Sequence, residues 1–216
     1  DEDEELLIKA WTGTDVVHKG KFWDLAFPGL RPRPVQKPHP PIVRACISEA
    51  SMVAMGQAGR PVLIGVQTID TLRHRFGRYQ EGLQESGLNE SQIEDILDQT
   101  WAQRALFVCD SDDEAREVAE TGLTKYKAHL LDARVRFNPG GAPPPPPGTP
   151  TPDSEIVEHA FLAGTPATVA GKLEELRDIG VRNILLNPNV GEIQPDKVEK
   201  SLKIFGETVI PRFKNN

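Results

Sequence analysis

Apolar residues along the chain fall into short runs separated by longer amphipathic stretches. Four runs stand out: IVRACI (42–47), PVLIGV (61–66), QRALFVC (103–109) and VRNILLN (181–187). They are continuous and rich in β-branched or bulky residues. They do not alternate strictly, which marks strands covered on both faces. Each is followed by residues at helical spacing. A strand, a helix and another strand in turn imply parallel pairing with helical crossovers. Two architectures fit this alternation. One is a small doubly wound sheet. The other is half of an eight-stranded barrel, since about 250 residues are typical of a whole one.

The helical stretches carry their own punctuation. Residues 48–59 open on Ser48 as N-cap and stop at Gly59. Residues 69–86 are closed by Gly87, and a short helix over 90–98 follows. Asp110 to Glu114 supply negative charge and capping oxygens ahead of a long helix over 112–130. A helix is expected at 153–162. Thr165 and Pro166 then cap a helix over 166–179 that ends at Gly180, with no strand expected before them. The last helix, 195–210, has Pro195 at its first position and an apolar face at Val198, Leu202, Phe205 and Val209.

Before the first strand the pattern differs. Residues 4–11 read as the end of an amphipathic helix, and 16–25 as a hairpin about Lys19-Gly20. Residues 28–41 hold six prolines, each lacking an N–H, and read as an extended connector. The chain therefore divides into residues 1–41 and 42–216, the second part interrupted by the low-complexity run 138–152, NPGGAPPPPPGTPTP.

Composition narrows the function classes. The 216 residues carry a net charge of −7 and a pI near 5.3. That argues against a nucleic-acid surface, which needs clustered cations to displace counterions. No apolar run approaches the roughly 20 residues of a membrane span. Two cysteines, Cys46 and Cys109, both in apolar runs, build no disulfide framework and suit a reducing cytoplasm. The five histidines, at 18, 39, 74, 129 and 159, lack the spacing of a zinc site, so no metal is expected.

In either architecture ligands sit beyond the C-terminal ends of the strands. After the first strand stand Ser48-Glu49-Ala50-Ser51, small residues that open a helix with free backbone N–H groups and two hydroxyls. That chemistry suits a phosphate. A serine is more commonly a plain N-cap, and Glu49 is a like charge nearby, so both readings stay open. After the second strand come Gly65, Val66 and Gln67, and after the fourth Asn187-Pro188-Asn189, each a polar lining or a turn. No Gly-x-Gly-x-x-Gly, P-loop, nucleophile elbow or triad is present.

The stretch Pro32-Arg33-Pro34-Val35-Gln36-Lys37-Pro38-His39-Pro40-Pro41-Ile42 resembles the approach to the fifth barrel strand of the luciferase-like flavin monooxygenases. The preceding HKGKFWDL is similar to that family's hairpin, and Ser48 to Ser51 with Ala58-Gly59-Arg60-Pro61 to its flavin-phosphate loop and next strand. Gly191 through Lys197 and Ser201 through Pro211 resemble its C-terminal helix. The resemblance implies an α/β TIM barrel of which this chain is the C-terminal half, strands five to eight. It implies a fragment, inactive alone, whose catalytic residues lie in the other half. By it, Ser48 and Ser51 with the N–H of Ala50 hold the FMN phosphate, and Val66 and Gln67 lie near the ring system. The implied activity uses reduced FMN from a separate flavin reductase, and O₂, to oxygenate a small organic substrate. The whole enzyme is expected to form a homo- or heterodimer. Two alternatives remain: hydride transfer with the deazaflavin F420 on the same fold, and a non-catalytic α/β module binding a phosphate ligand or a partner chain.

Overall fold

The structure is a computed structural model describing residues 2–138, 140 and 151–214. The run 138–152 therefore lies mostly outside the described residues. The chain separates into two units, 1–42 and 43–216.

In the first unit, α1 (Glu2–Thr12) precedes an antiparallel pair, β1 (Asp15–Lys19) and β2 (Asp24–Pro28), with Asp15 opposite Pro28 and Lys19 opposite Asp24. The turn between them is held by one carboxylate. Glu2 accepts the backbone N–H groups of Lys21, Phe22 and Trp23 and lies 3.3 Å from Nε2 of buried His18. His39 is fixed in the proline connector. Its Nδ1 is 2.7 Å from the Pro40 carbonyl, and its ring lies 6.0 Å from that of Trp11.

The second unit is built on parallel strands. β3 (Arg44–Cys46) pairs with β4 (Val62–Ile64), and β4 with β5 (Trp101–Val108). Further along, β6 (Leu162–Gly164) and β7 (Asn183–Asn187) both pair with β5. Leu63 and Asn183 stand level with Trp101, and Leu162 with Leu106. The helices are α2 (Glu49–Gln57), α3 (Ile69–Glu85), α4 (Glu90–Asp98), α5 (Asp112–Phe137), α6 (Asp153–Ala160), α7 (Pro166–Ile179) and α8 (Pro195–Ile204). The path β3-β4-β5-β7 is the succession of parallel strands expected for half a barrel. Its outer strands β3 and β7 each pair with one neighbour among the described residues.

Two apolar clusters cover β5. Ala102, Leu106 and Val108 pack with Leu72, Phe76 and Tyr79 of α3, Leu176 of α7, and Phe205 and Val209. The intervening Ala105 and Phe107 pack with Ala115, Ala119 and Leu123 of α5 and Val157 of α6. At its C-terminal end the Val108 N–H donates to buried Ser201 Oγ of α8 at 2.7 Å, while the Cys109 N–H goes to Gly164 O at 3.2 Å. Successive N–H groups of a strand point to opposite edges, so α8 and β6 flank the end of β5 on opposite sides. Nearby, α5 touches the loop after β7 backbone to backbone: a Cβ on Gly122 would lie 2.3 Å from Val190 O, and Gly191 has φ 71°.

Several sequence expectations need correction. The long helix placed at 112–130 runs on to Phe137. Thr165-Pro166 does follow a strand, β6, whose three residues are too few to show a period and extend the preceding helical pattern instead. The strand placed at 103–109 begins at Trp101. The last helix does not run evenly to 210. It ends at Ile204, continues as one wider turn over Phe205–Val209, and tightens over Ile210–Phe213. Thr208 Oγ1 donates to Ile204 O at 2.6 Å, and Pro211 has no N–H to return to the preceding turn.

Ser201→Ala should destabilise the unit by about 1–3 kcal/mol, because it leaves a buried N–H unsatisfied. Urea unfolding checks this. A second expectation concerns pH. Asp112 Oδ1 accepts the Thr165 N–H at 2.6 Å, which, with the hydroxyls of Thr165 and Thr168, holds its carboxyl below the usual range against the opposing effect of burial. A depressed folded value contributes stability above the unfolded Asp pKa of about 3.9. That stability is lost as pH falls through the folded value. Asp112→Asn should flatten this acid limb of the melting-temperature profile.

Candidate functional site

The C-terminal ends of β3 and β4 lie side by side, because Cys46 is level with Ile64 and Gly65 N–H donates to Cys46 O at 3.1 Å. This pairing brings the serine turn and the Val66-Gln67 segment together. Ser48 caps α2: its Oγ accepts the Ser51 N–H at 3.2 Å and donates to Ser51 Oγ at 3.0 Å. Ser51 Oγ returns a bond to Ser48 O at 2.8 Å. Both hydroxyls thus serve the cap, and Ser48 and Ala50 are exposed. The N–H of Ala50, in the first helical turn, has no partner within the helix. The two hydroxyls lie in the same turn.

Glu49 does not oppose an anion at this turn. Its carboxylate reaches across to α3, 3.0 Å from His74 Nε2 and 3.9 Å from Arg78 Nε. Charge of the other sign is supplied by Arg75, a residue the strand-end reading did not single out. Its Nη1 donates to Ile47 O at 2.6 Å and to Gln67 Oε1 at 2.7 Å. One guanidinium therefore ties the end of β3 to the end of β4. The signal for it was faint: a cation two turns into α3, one of several on a charged helix. Gln67, oriented by that bond, buries its Nε2 without a partner among the described residues. Val66 is partly exposed beside it.

Among the described residues the other strand ends make no hydrogen bond or ion pair to this group. Asn187 and Asn189 organise their own turn, Asn189 N–H donating to Asn187 Oδ1 and Ile193 N–H to Asn189 Oδ1. Cys109 donates to Ser111 O, and burial pushes its thiol pKa up, which suits an inert thiol. A larger cavity, about 670 Å³, lies between α7, β7 and the C-terminal turns and is lined by Leu173, Ile184, Leu186, Phe205 and Phe213. Gln80, Arg177, Arg182 and Lys214 also line it, and Arg182 is paired there with Glu94 and Asp98. Among the described residues no cluster of His, Cys, Asp and Glu is placed to hold a metal, and no helix is long and apolar enough to cross a membrane.

One sheet face is partly open and mixed in character, since Asn183 stands level with Trp101 and Gln103 with Leu185. Ala45, Leu63 and Trp101 stand level across three strands, with Leu185 one step further along β7. Trp101 is 39% exposed and Leu185 44%.

The family model of the luciferase-like monooxygenases matches residues 2–183. The chain belongs to that family. It is 23% identical over 227 residues to a 5,10-methylenetetrahydromethanopterin reductase of Methanopyrus kandleri, covering 99% of this chain and 62% of the relative. Among solved structures, one similar chain is the oxygenating constituent of 3,6-diketocamphane monooxygenase of Pseudomonas putida, a type II Baeyer–Villiger monooxygenase in complex with FMN. There the TM-score is 0.65 at 20% identity over 98% of this chain and 62% of that one. Another is the coenzyme F420 dependent tetrahydromethanopterin reductase of Methanopyrus kandleri, with a TM-score of 0.63 at 20% identity over 98% and 62%. The luciferase-like chain described here thus spans about three fifths of the length of the relatives it matches. Its fold is that part of a TIM barrel, and of these two solved structures one is in complex with FMN and the other depends on F420.

Arg75→Met should lower stability by about 1–2 kcal/mol, since two bonds from a charged donor are lost at a half-buried position. It should also speed amide exchange at 48–51 and leave that of β5 unchanged. Urea unfolding and hydrogen exchange check the two parts.

Proposed function

We propose that this chain supplies the phosphate end of the FMN site in a luciferase-like monooxygenase. The whole barrel would use reduced FMN, delivered by a separate reductase, and O₂ to oxygenate a small organic substrate. The observation that carries the reading is the bridge from Ile47 O to Gln67 Oε1 through Arg75, which sets the serine turn, whose two hydroxyl protons are engaged in the cap, near a buried amide N–H that has no partner among the described residues. Ser48, Ser51 and the N–H of Ala50 would bind the phosphate, and the Arg75 charge would stabilise its oxygens. Gln67 Nε2, held in orientation by Arg75, would donate to a ligand acceptor, and Val66 would bound the same end of the ring. Ala45, Leu63, Trp101 and Leu185 would supply apolar contact on the sheet face that also carries Asn183 and Gln103. Bound FMN supplies the oxygen chemistry, while the residues named here hold and orient it. The catalytic groups belong to barrel strands outside this chain's matched span.

Hydride transfer with F420 is the second reading, favoured by the likeness to the F420-dependent reductase. Both cofactors carry a phosphate, so the serine turn serves either. Absorbance of the bound cofactor separates them, near about 450 nm for FMN and about 420 nm for F420, which are the free chromophores' own properties.

Ser48→Ala and Ser51→Ala, made in the complete barrel, should each weaken FMN about ten- to a hundredfold, as expected for one hydrogen bond to a charged oxygen. Riboflavin, lacking the phosphate, should hardly change. Titration of both flavins against both variants checks this. Equal losses for FMN and riboflavin would refute the cradle and leave Ser48 a helix cap.

A further inference from the structure

The helix α5 is longer than the layer it covers. Its buried residues, Ala115, Ala119, Gly122 and Leu123, all lie in its first half. From Thr124 to Phe137 only Leu130 and Ala133 are partly covered, and the rest is exposed. A second seam runs along the side opposite the buried one. Thr121, Thr124, Ala128, Leu131 and Val135 recur at alternating steps of three and four residues. That is the heptad spacing that keeps one stripe facing a partner helix. All five are exposed, Leu131 at 55% and Val135 at 57%.

The charges beside this seam change sign along the helix. Its first half carries Asp112, Asp113, Glu114, Glu117 and Glu120 against Arg116, and its second half Lys125, Lys127, Arg134 and Arg136 against Asp132. Several are engaged within the chain: Arg116 with Asp113 and Glu158, Glu114 with Lys197, Lys127 with Asp153, and Arg136 with Asp132. Lys125 shares a groove with Glu192. Glu117, Glu120, Lys125 and Arg134 make no ion pair among the described residues. Helical spacing puts Glu120 and Arg134 along one flank of the seam, and Lys125 and Asp132 along the other.

We propose that this seam is a contact between two copies of the chain, paired antiparallel about a two-fold axis at Ala128. In that register the small Ala128 sits where the helices meet. Leu131 comes level with the partner's Thr124, and Val135 with the partner's Thr121. Glu117 and Glu120 then lie within a turn of the partner's Arg134 and Arg136, and Lys125 within a turn of the partner's Asp132, so both flanks bring opposite charges together. Parallel pairing would instead gather Glu117 and Glu120 with their own copies at one end, and Arg134 and Arg136 at the other. The antiparallel surface is its own complement and closes after two copies. An overlap about 25 Å long is small beside the ~1,200–2,000 Å² of a stable complex, so the dimer is reversible. None of its residues belongs to the serine turn, so it stands or falls independently of the flavin reading.

The test applies sedimentation and cysteine cross-linking to the full chain, whose own Cys46 and Cys109 are buried. Ala128→Cys, on the axis, should form a disulfide with its own copy on mild oxidation. Leu131→Cys alone should not, since its copy lies well beyond the reach of a disulfide, but mixed with Thr124→Cys it should cross-link. Glu120→Arg and Arg134→Glu should each weaken the dimer about three- to tenfold, and the double variant should restore it. Leu131→Asp should abolish it. Association through the open edges of β3 and β7 would ignore all of these changes, and that result would overturn the proposal. So would a monomer at about 0.3 mM, or self-cross-linking of Leu131→Cys as ready as that of Ala128→Cys, which marks a parallel pair.

Discussion

Everything in the second unit depends on the pairing of β5. Three strands hydrogen-bond to its eight residues: β4 and β7 at its beginning and β6 at its end. Its alternate side chains enter two different apolar clusters. A strand with both edges and both faces engaged cannot shift register by one residue without turning Leu106 and Phe107 into each other's cluster. The helices are then located by what they cover. α3 and α7 lie over one set of β5 side chains and α5 over the other. α8 is pinned by a single hydroxyl to the end of the strand.

The pairing of β3 with β4 explains where the candidate site falls. Parallel register puts Cys46 beside Ile64, so whatever follows β3 must adjoin whatever follows β4. Ser48 and Gln67 are neighbours for that reason, though 19 positions separate them in the chain. The polar groups then need only one cation to organise them, and Arg75 is within reach because α3 returns along the sheet between β4 and β5.

Much of this was legible along the chain, and the limits have physical causes. Runs such as PVLIGV and VRNILLN announced β4 and β7 because they are short, continuous and apolar, although β7 is not covered on both faces and Leu185 is 44% exposed. Caps at Ser48, Thr165 and Gly180 were readable because few residue types serve those positions. β6 was not, since Leu162-Ala163-Gly164 is too short to display a period and owes its conformation to β5. The serine turn was legible as chemistry but ambiguous as role, because capping and phosphate binding call on the same side chains. Arg75 was missed because it is a surface-type residue on a charged helix that tertiary pairing draws inward.

The meeting of Gly122 with Val190 and Gly191 has a consequence for how the fold tolerates change. Most packed contacts can be retuned, a larger side chain on one surface offset by a smaller one on the other. Here both surfaces are bare backbone, and Gly191 moreover sits at a positive φ. No compensating pair exists, because there is no side chain left to shorten. The join between α5 and the loop leading into α8 is therefore all or nothing: a substitution at Gly122 or Gly191 pries the two segments apart. Variation in this region must then accumulate elsewhere, leaving the line of approach of α5 to the strand ends unaltered.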